Sequence, residues 1–273
     1  MKIFVDSAKL DEIEEAYSCG VLDGVTTNPS LIKKAVDSLK AKGENIDMTG
    51  YIKKILTAAK GTPVSLEVAE FTHRGMIEQG KRLFDMFNPV ANNVYIKIPI
   101  NTSFEGEKGK EFEGLKAIAA LSKEEIPVNC TLVFTPEQAL MAAKAGAKFV
   151  SSFAGRIDDY IRSMNSISFG KSDYFPAEGL AGDGEMLENN GIVSGIDLVV
   201  QIVEIFEVHD LATEVLAASI RNARQTREAA LAGADIATLP FTVIKDLFIH
   251  YKTQEGMKSF IQDIVPEYRD AIS

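Results

Sequence analysis

Eight short apolar runs recur along the chain, each followed by a stretch of helical character, and this alternation limits the possible folds more than any other feature. The runs are IFVD (3–6), GVTTN (24–28), PVSLEV (63–68), VYIKIP (94–99), VNCTLVF (128–134), KFVSSF (148–153), EVLAASI (214–220) and DIATLPF (235–241). They are rich in Val, Ile and Thr and mostly apolar, which suits parallel strands covered on both faces. The segments between them read as amphipathic helices. AKLDEIEEAYSCG (8–20) ends at Gly20, and NARQTREAALAG (222–233) ends at Gly233. PEQALMAAKAG (136–146) has Pro136 in its first turn and Gly146 just past its end, the placement helix termini favour.

Two architectures fit eight strands alternating with helices: a closed (β/α)8 barrel, the TIM barrel, and a doubly wound open sheet. The open sheet calls for a glycine-rich phosphate turn after an early strand. GVTTNPS, at the second run, has neither a GxGxxG nor a GxxxxGK[ST] pattern. The count of eight and the length of 273 residues favour the barrel. Residues 1–273 are expected to form one barrel domain. The tail of about 254–273, QEGMKSFIQDIVPEYRDAIS, is expected to be an extra C-terminal helix interrupted at Pro266. It would cap the barrel or pack on a neighbouring subunit. Residues 36–52 are polar and lengthen the second strand–helix unit. Residues 157–195, with Tyr160, Tyr174, Phe175 and Pro176, read as a long connection, and long connections are often functional.

Composition narrows the class further. Hydrophobic residues make up 46% and charged residues 25%, ordinary values for a soluble globular protein. No apolar run nears the roughly 18–20 residues a membrane span needs. The start, MKIFVDSAKL, reads as a strand entering a helix rather than a signal peptide, so a cytoplasmic location is expected. Cys19 and Cys130 have no CxxC spacing, and His73, His209 and His250 are scattered, so no metal site is expected. A net charge of −10 argues against a nucleic-acid surface. It leaves room for a few local Arg or Lys side chains to hold a phosphate.

Barrel enzymes draw their chemistry from the C-terminal ends of the strands. The polar residues there are Asp6, Thr26, Thr27, Asn28, Glu67, Lys97, Asn129, Thr131, Ser151, Arg156, Ser219 and Arg221. Lys97, within VYIKIPI, has apolar neighbours on both sides and should point into the barrel. A buried ammonium is costly unless paired, and a neutral amine can attack a ketone to form an iminium. The bland alternative is a lysine on the surface or in a structural ion pair. Asp6 and Glu67 end the first and third runs. They either divide proton transfers as acid and base or simply compensate Lys97. Arg156, Ser219 and Arg221 follow the sixth and seventh runs, where phosphate is often held in barrels, and guanidinium forks suit phosphate oxygens.

The blocks VDSAKLDEI, DGVTTNPSLI, VYIKIP, VNCTLVFTPEQALMAAKAGAKFVSSFAGRIDD and LAASIRNARQTREAALAGADIATLPF resemble the transaldolase family. The resemblance covers seven of the eight runs, from Ile3 to Phe241. It implies a barrel of class I aldolase type, with no metal and no organic cofactor, acting in the pentose phosphate pathway. It further implies that Lys97 is the Schiff-base nucleophile and Asp6 the acid/base at the sugar hydroxyl. Glu67 would work with a water held by Thr131. Asn28 and Asn129 would bind the dihydroxyacetone portion, with Ser151 near its terminal hydroxyl. Arg156, Ser219 and Arg221 would hold the phosphate. The implied partners are sugar phosphates and further copies of the chain, not nucleic acid or membrane.

The same superfamily includes fructose-6-phosphate aldolases, which release free dihydroxyacetone. They resemble this chain less at two positions: a glutamine stands where this chain has Glu67, and a tyrosine where it has Phe153. The TLVF segment after Asn129 also leans towards transaldolase. The chain departs from the family pattern in INTSFEGEKG (100–109), inserted after the lysine block, and in Ser151-Ser152-Phe153, where the family has a proline. A barrel that only binds a sugar phosphate remains the alternative outside enzymes.

Overall fold

The computed structural model describes residues 1–43, 45–104, 108–182 and 184–272. All eight runs are strands: β1 (Lys2–Asp6), β2 (Gly24–Thr26), β3 (Val64–Glu67), β4 (Val94–Pro99), β5 (Val128–Val133), β6 (Phe149–Phe153), β9 (Glu214–Ala218) and β10 (Ile236–Leu239). They close a barrel in the order β1-β10-β9-β6-β5-β4-β3-β2, parallel at each pairing. The remaining two strands, β7 (Ala181–Gly182) and β8 (Glu185–Met186), pair as a small antiparallel hairpin outside the barrel. The closed sheet excludes the doubly wound alternative.

Helices cover the barrel: α1 (Leu10–Ser18), α2 (Pro29–Ala41), α3 (Met48–Ala58), α4 (His73–Phe87), α5 (Glu113–Lys123), α6 (Pro136–Lys144), α7 (Ala154–Met164), α8 (Gly195–Val208), α9 (Ala223–Leu231) and α10 (Phe241–Asp246). Gly20, Gly146 and Gly233 follow α1, α6 and α9 with φ of 72°, 96° and 86°. That left-handed conformation is the reason for glycine there. Three strands end two residues sooner than their apolar runs. β2 stops at Thr26 because Asn28 caps α2, its Oδ1 accepting from Leu31 N at 3.0 Å. β9 stops before Ser219, whose φ is 61°. β10 stops before Pro240, which precedes α10 and has no N–H for the ladder.

Two of the long stretches contain regular structure. Most of 36–52 belongs to the end of α2 and the start of α3; residue 44 lies outside the described residues. The stretch 157–195 opens as helix, not loop, because α7 buries Ile157 and Ile161 along one face. The β7–β8 hairpin follows, with residue 183 outside the described residues. In the tail, α11 (Tyr251–Gln262) and α12 (Pro266–Ile272) are separate helices. Pro266 opens the second, as its fixed φ allows. Neither helix has a buried residue. No helix among the described residues is long and apolar enough to cross a membrane.

Period-two alternation sorts each strand into an outer apolar face and an inner face. Phe4, Phe149, Leu216, Ala218 and Ile236 form a core of their own inside the barrel, joined by Tyr95 and Phe153. The Tyr95 ring stacks on Phe149 at 4.7 Å, and Phe4 meets Phe149 edge-on at 6.0 Å. At the N-terminal end Lys2 pairs with Glu214. A Cβ on Gly24 would sit 2.6 Å from the Phe4 ring. Gly24→Ala is therefore expected to cost ~1–3 kcal/mol through overpacking, read as a lower thermal midpoint. An unchanged midpoint would mean that the aromatic plug yields freely.

Candidate active site

Above the aromatic plug the inner face turns polar. Lys97 of β4 is only 4% exposed, and Nζ stands 3.4 Å from Glu67 Oε2 on β3. Nζ also donates to the Thr27 carbonyl oxygen at 3.3 Å. Glu67 and Lys97 are register partners, as are Lys97 and Asn129, so all three face the interior. Asn129 Nδ2 donates to Ser65 Oγ at 3.0 Å, and Ser151 Oγ donates to Asn129 Oδ1 at 2.7 Å. Ser65 on β3 and Asn129 on β5 are not on neighbouring strands, so their hydrogen bond crosses the barrel lumen.

Asp6, at the end of β1, accepts from Thr26 Oγ1 at 2.8 Å. Thr26 Oγ1 also meets Thr238 Oγ1 of β10 at 2.5 Å. Burial pushes the Asp6 carboxyl above the ordinary carboxylate range, against the opposing pull of the Lys97 charge and the Thr26 hydrogen bond. Burial raises Glu67 as well, opposed by Lys97 and, more weakly, by Arg156. Both carboxyls are thus shifted towards holding protons, the condition for acid and base work near neutrality. A cavity of about 170 Å³ lies at Asp6, lined also by Leu31, Lys34 and Phe241. A larger one of about 360 Å³ lies apart from these residues, among α1, α2 and α3.

Thr131 is 1% exposed, and its Oγ1 has no protein hydrogen-bond partner among the described residues. A bulge aims it. Asn129 pairs with Phe149 and Cys130 with Val150, but Val133 rather than Leu132 pairs with Ser152. Leu132 has a φ of 57°. The extra residue turns the end of β5 just past Thr131, a common use of bulges beside functional sites.

The rim between β6 and β9 brings Arg156, Ser219 and Arg221 to one corner. Arg156, in the first turn of α7, is exposed, with its guanidinium 5.1 Å from the centre of the Phe153 ring. Arg221 lies against Gly155, where a Cβ would be 2.6 Å from Arg221 Nε. Its Nη2 donates to Asp159 Oδ2 at 2.8 Å, and its Nε is buried without a hydrogen-bond partner among the described residues. Asn28, just past the end of β2, spends Oδ1 on capping α2. Of the inserted segment 100–109, Thr102 and Phe104 pack against Phe71: Thr102 Oγ1 donates to Phe71 O at 2.6 Å, and the Phe104 ring meets Phe71 at 5.7 Å. Residues 105–107 lie outside the described residues. Ser65 and Thr238 join the polar network although the sequence reading did not single them out. Their signal was the alternation itself, since each lies two residues from another inward position.

No group of three or more His, Cys, Asp and Glu side chains among the described residues is placed to hold a metal. A parallel eight-stranded barrel with a buried lysine and two raised carboxyls at its C-terminal mouth is an enzyme architecture. The chain belongs to the transaldolase/fructose-6-phosphate aldolase family, which it matches over residues 3–271. It is 43% identical over 263 residues to a probable transaldolase of Chlorobaculum parvum, covering 96% of this chain and 97% of that one. It is 40% identical over 263 residues to a probable transaldolase of Halalkalibacterium halodurans, covering 96% and 98%. A probable transaldolase of Thermoplasma volcanium is 38% identical over 263 residues, covering 96% and 95%.

The raised carboxyls set a sign for stability against pH. The folded chain holds protons on Asp6 and Glu67 at pH values where the unfolded chain has released them. That stabilisation is complete below the ordinary carboxylate range and is lost as pH rises through the raised values. Asp6→Asn, which cannot ionise, should therefore gain thermal stability relative to wild type as pH rises above the ordinary carboxylate range, about pH 4. Parallel midpoint curves for the two proteins would contradict this.

Proposed function

We propose that the chain is a transaldolase, moving a dihydroxyacetone unit from a ketose phosphate to an aldose phosphate through a Schiff base on Lys97. Fructose 6-phosphate or sedoheptulose 7-phosphate is the donor. The observation that carries the reading is the Lys97 ammonium, buried 3.4 Å from Glu67 in a lumen it shares with Asp6, Asn129, Thr131 and Ser151. A lysine kept there for stability alone would be a poor solution, because apolar packing often serves a core as well as a buried ion pair.

Lys97 gives its ammonium proton to Glu67 and adds to the ketone as the amine, and loss of water gives the iminium. Glu67, with a water held at Thr131 Oγ1, moves the protons of imine formation and hydrolysis. Asn129 and Ser151 hydrogen-bond the three-carbon unit, with Asn28 contributing its amide N–H. Arg156, Ser219 and Arg221 hold the phosphate. Asp6 takes the C4 hydroxyl proton, the C3–C4 bond breaks, and the electron pair enters the iminium to give an enamine. An aldose phosphate leaves. A second aldose phosphate then reacts in reverse order, with Asp6 returning the proton. Exclusion of bulk water protects the enamine while it waits.

The fructose-6-phosphate aldolase is the nearer rival. Glu67 and Phe153 favour transfer, since those aldolases carry glutamine and tyrosine at the two positions. Phe153 packs against Phe134 at 5.6 Å and under Arg156 and offers no hydroxyl to protonate the enamine. The relatives named as probable transaldolases lean the same way. The reading puts the protein in the pentose phosphate pathway and the cytoplasm, with residues 1–273 as one barrel domain. It is also read as a homo-oligomer, because Tyr251, Met257, Phe260, Ile261, Val265 and Tyr268 of the tail are exposed. Light scattering of the full chain should give a multiple of the monomer mass; a monomer at micromolar concentration would refute that part.

Borohydride trapping with fructose 6-phosphate, followed by peptide mapping, tests the mechanism. A three-carbon adduct on Lys97, drained by erythrose 4-phosphate, is expected, and Lys97→Met should abolish it. Free dihydroxyacetone formed at catalytic rates without acceptor would favour the aldolase. No adduct with any ketose phosphate would leave a binding protein. Asp6→Asn should still form the imine but slow bond cleavage by about 10²–10⁴-fold, the usual worth of a positioned acid or base.

A further inference from the structure

Behind the Arg156–Ser219–Arg221 corner lies a buried polar cluster whose hydrogen bonds, among the described residues, run between helices α7, α8 and α9 and the turn at Arg221. Asp158 of α7 is 3% exposed. Its Oδ1 accepts from the backbone N–H of Gly195, the first residue of α8, at 2.7 Å. Its Oδ2 accepts from Gln225 Nε2 of α9, also at 2.7 Å. The Gln225 amide cannot turn round, because its Oε1 already accepts from the backbone N–H of Arg221 at 2.8 Å. The next residue, Asp159, reaches the other end of the same arginine and accepts from Arg221 Nη2 at 2.8 Å. Two consecutive acids on one helix therefore grip Arg221 twice, one through Gln225 at the backbone and the other directly at the guanidinium. Gly155, one turn earlier on α7, lets the arginine lie flat: its position has no room for a Cβ beneath Arg221 Nε and the Ser219 carbonyl.

The carboxylate is an expensive choice for this place. Burial pushes Asp158 up to about 7 although two donors and the Arg162 charge favour its ionised form, with Asp159 adding repulsion. Arg162 does not neutralise it by direct pairing among the described residues. Arg162 spends Nη2 on the carbonyl oxygens of Asp173 and Tyr174 and packs against Phe169 and Phe175. What the carboxylate supplies is two acceptors at fixed directions, joining three helices behind one turn.

We propose that Asp158 is a positioning residue for phosphate recognition: through Gln225 it fixes the Ser219–Arg221 turn, while Asp159 holds the Arg221 guanidinium at the same corner. Asp158 touches no substrate, and the proposal rests on the reading that this corner takes the substrate phosphate.

Asp158→Asn keeps the size of the side chain but turns an N–H towards one of the two donors. The expected result is a KM for fructose 6-phosphate raised about tenfold, the scale of one lost hydrogen bond, with kcat changed less than about twofold. Inhibition by inorganic phosphate should weaken by a similar factor. The kcat/KM for unphosphorylated fructose should stay at the wild-type value. Gln225→Leu, which cuts the link without altering the acid, should reproduce the split if Asp158→Asn does not fold. In an Arg221→Ala background Asp158→Asn should raise KM no further, since both act on one contact. Equal losses with fructose and its phosphate would make Asp158 merely structural and overturn the proposal. So would a raised KM in Arg221→Ala with a wild-type KM in both Asp158→Asn and Gln225→Leu. An unchanged KM in Arg221→Ala would instead overturn the phosphate corner itself.

Discussion

The Lys97 ammonium is held away from water, and the arrangement of the barrel mouth follows from that constraint. An isolated buried charge is prohibitive, so it must be matched by acceptors at close range. Glu67 Oε2 and the Thr27 carbonyl supply them. The Asp6 carboxyl, raised by burial and eased by the same Lys97 charge, belongs to the same balance. Three ionisable groups then share one low-dielectric space at the barrel mouth. Proton transfer between such groups and a substrate needs little reorganisation, which is the physical basis of catalysis by preorganised sites.

The rest of the lumen supports this arrangement from below. Phe4, Tyr95 and Phe149 interlock with Leu216 and Ile236, closing the barrel beneath the polar layer. Their bulk fills the N-terminal side of the lumen, leaving the polar layer at the strands' C-terminal ends. The same strand that buries Tyr95 in the plug presents Lys97 two residues later, one pleat repeat towards the mouth. Stability and chemistry are thus stacked on one scaffold, in line with the usual division of labour in such barrels.

The rim is built by different means. Arg221 is not at a strand end. It stands in a turn that follows Ser219, a serine with positive φ, and helices α7 and α9 hold it from behind. Bound anions need donors aimed at a fixed point, and flexible arginines lose much of their value to side-chain entropy. The Asp159 contact and the Gln225 link restrict Arg221 in just this respect.

Much of this was legible in the sequence. Eight Val- and Ile-rich runs, separated by helices with glycine stops, specify the barrel because buried parallel strands and amphipathic helices have different periods. Lys97, Glu67 and Asp6 stood out because charged residues in apolar strands need partners. The family blocks placed Asn129, Thr131 and Ser151 beside them. Sequence alone misjudged α7, whose apolar face is interrupted by acids that turned out to be buried or paired, and it ended three strands two residues too late. Tertiary structure alone decided that Asn129 reaches Ser65 across the lumen and that Leu132 forms a bulge behind Thr131. It also decided that Asp158 meets Gln225, 67 positions further along. The reason is physical: periodicity is a local property of the chain, whereas register, lumen width and the angles between helices emerge only when the sheet closes and brings distant residues within hydrogen-bond range.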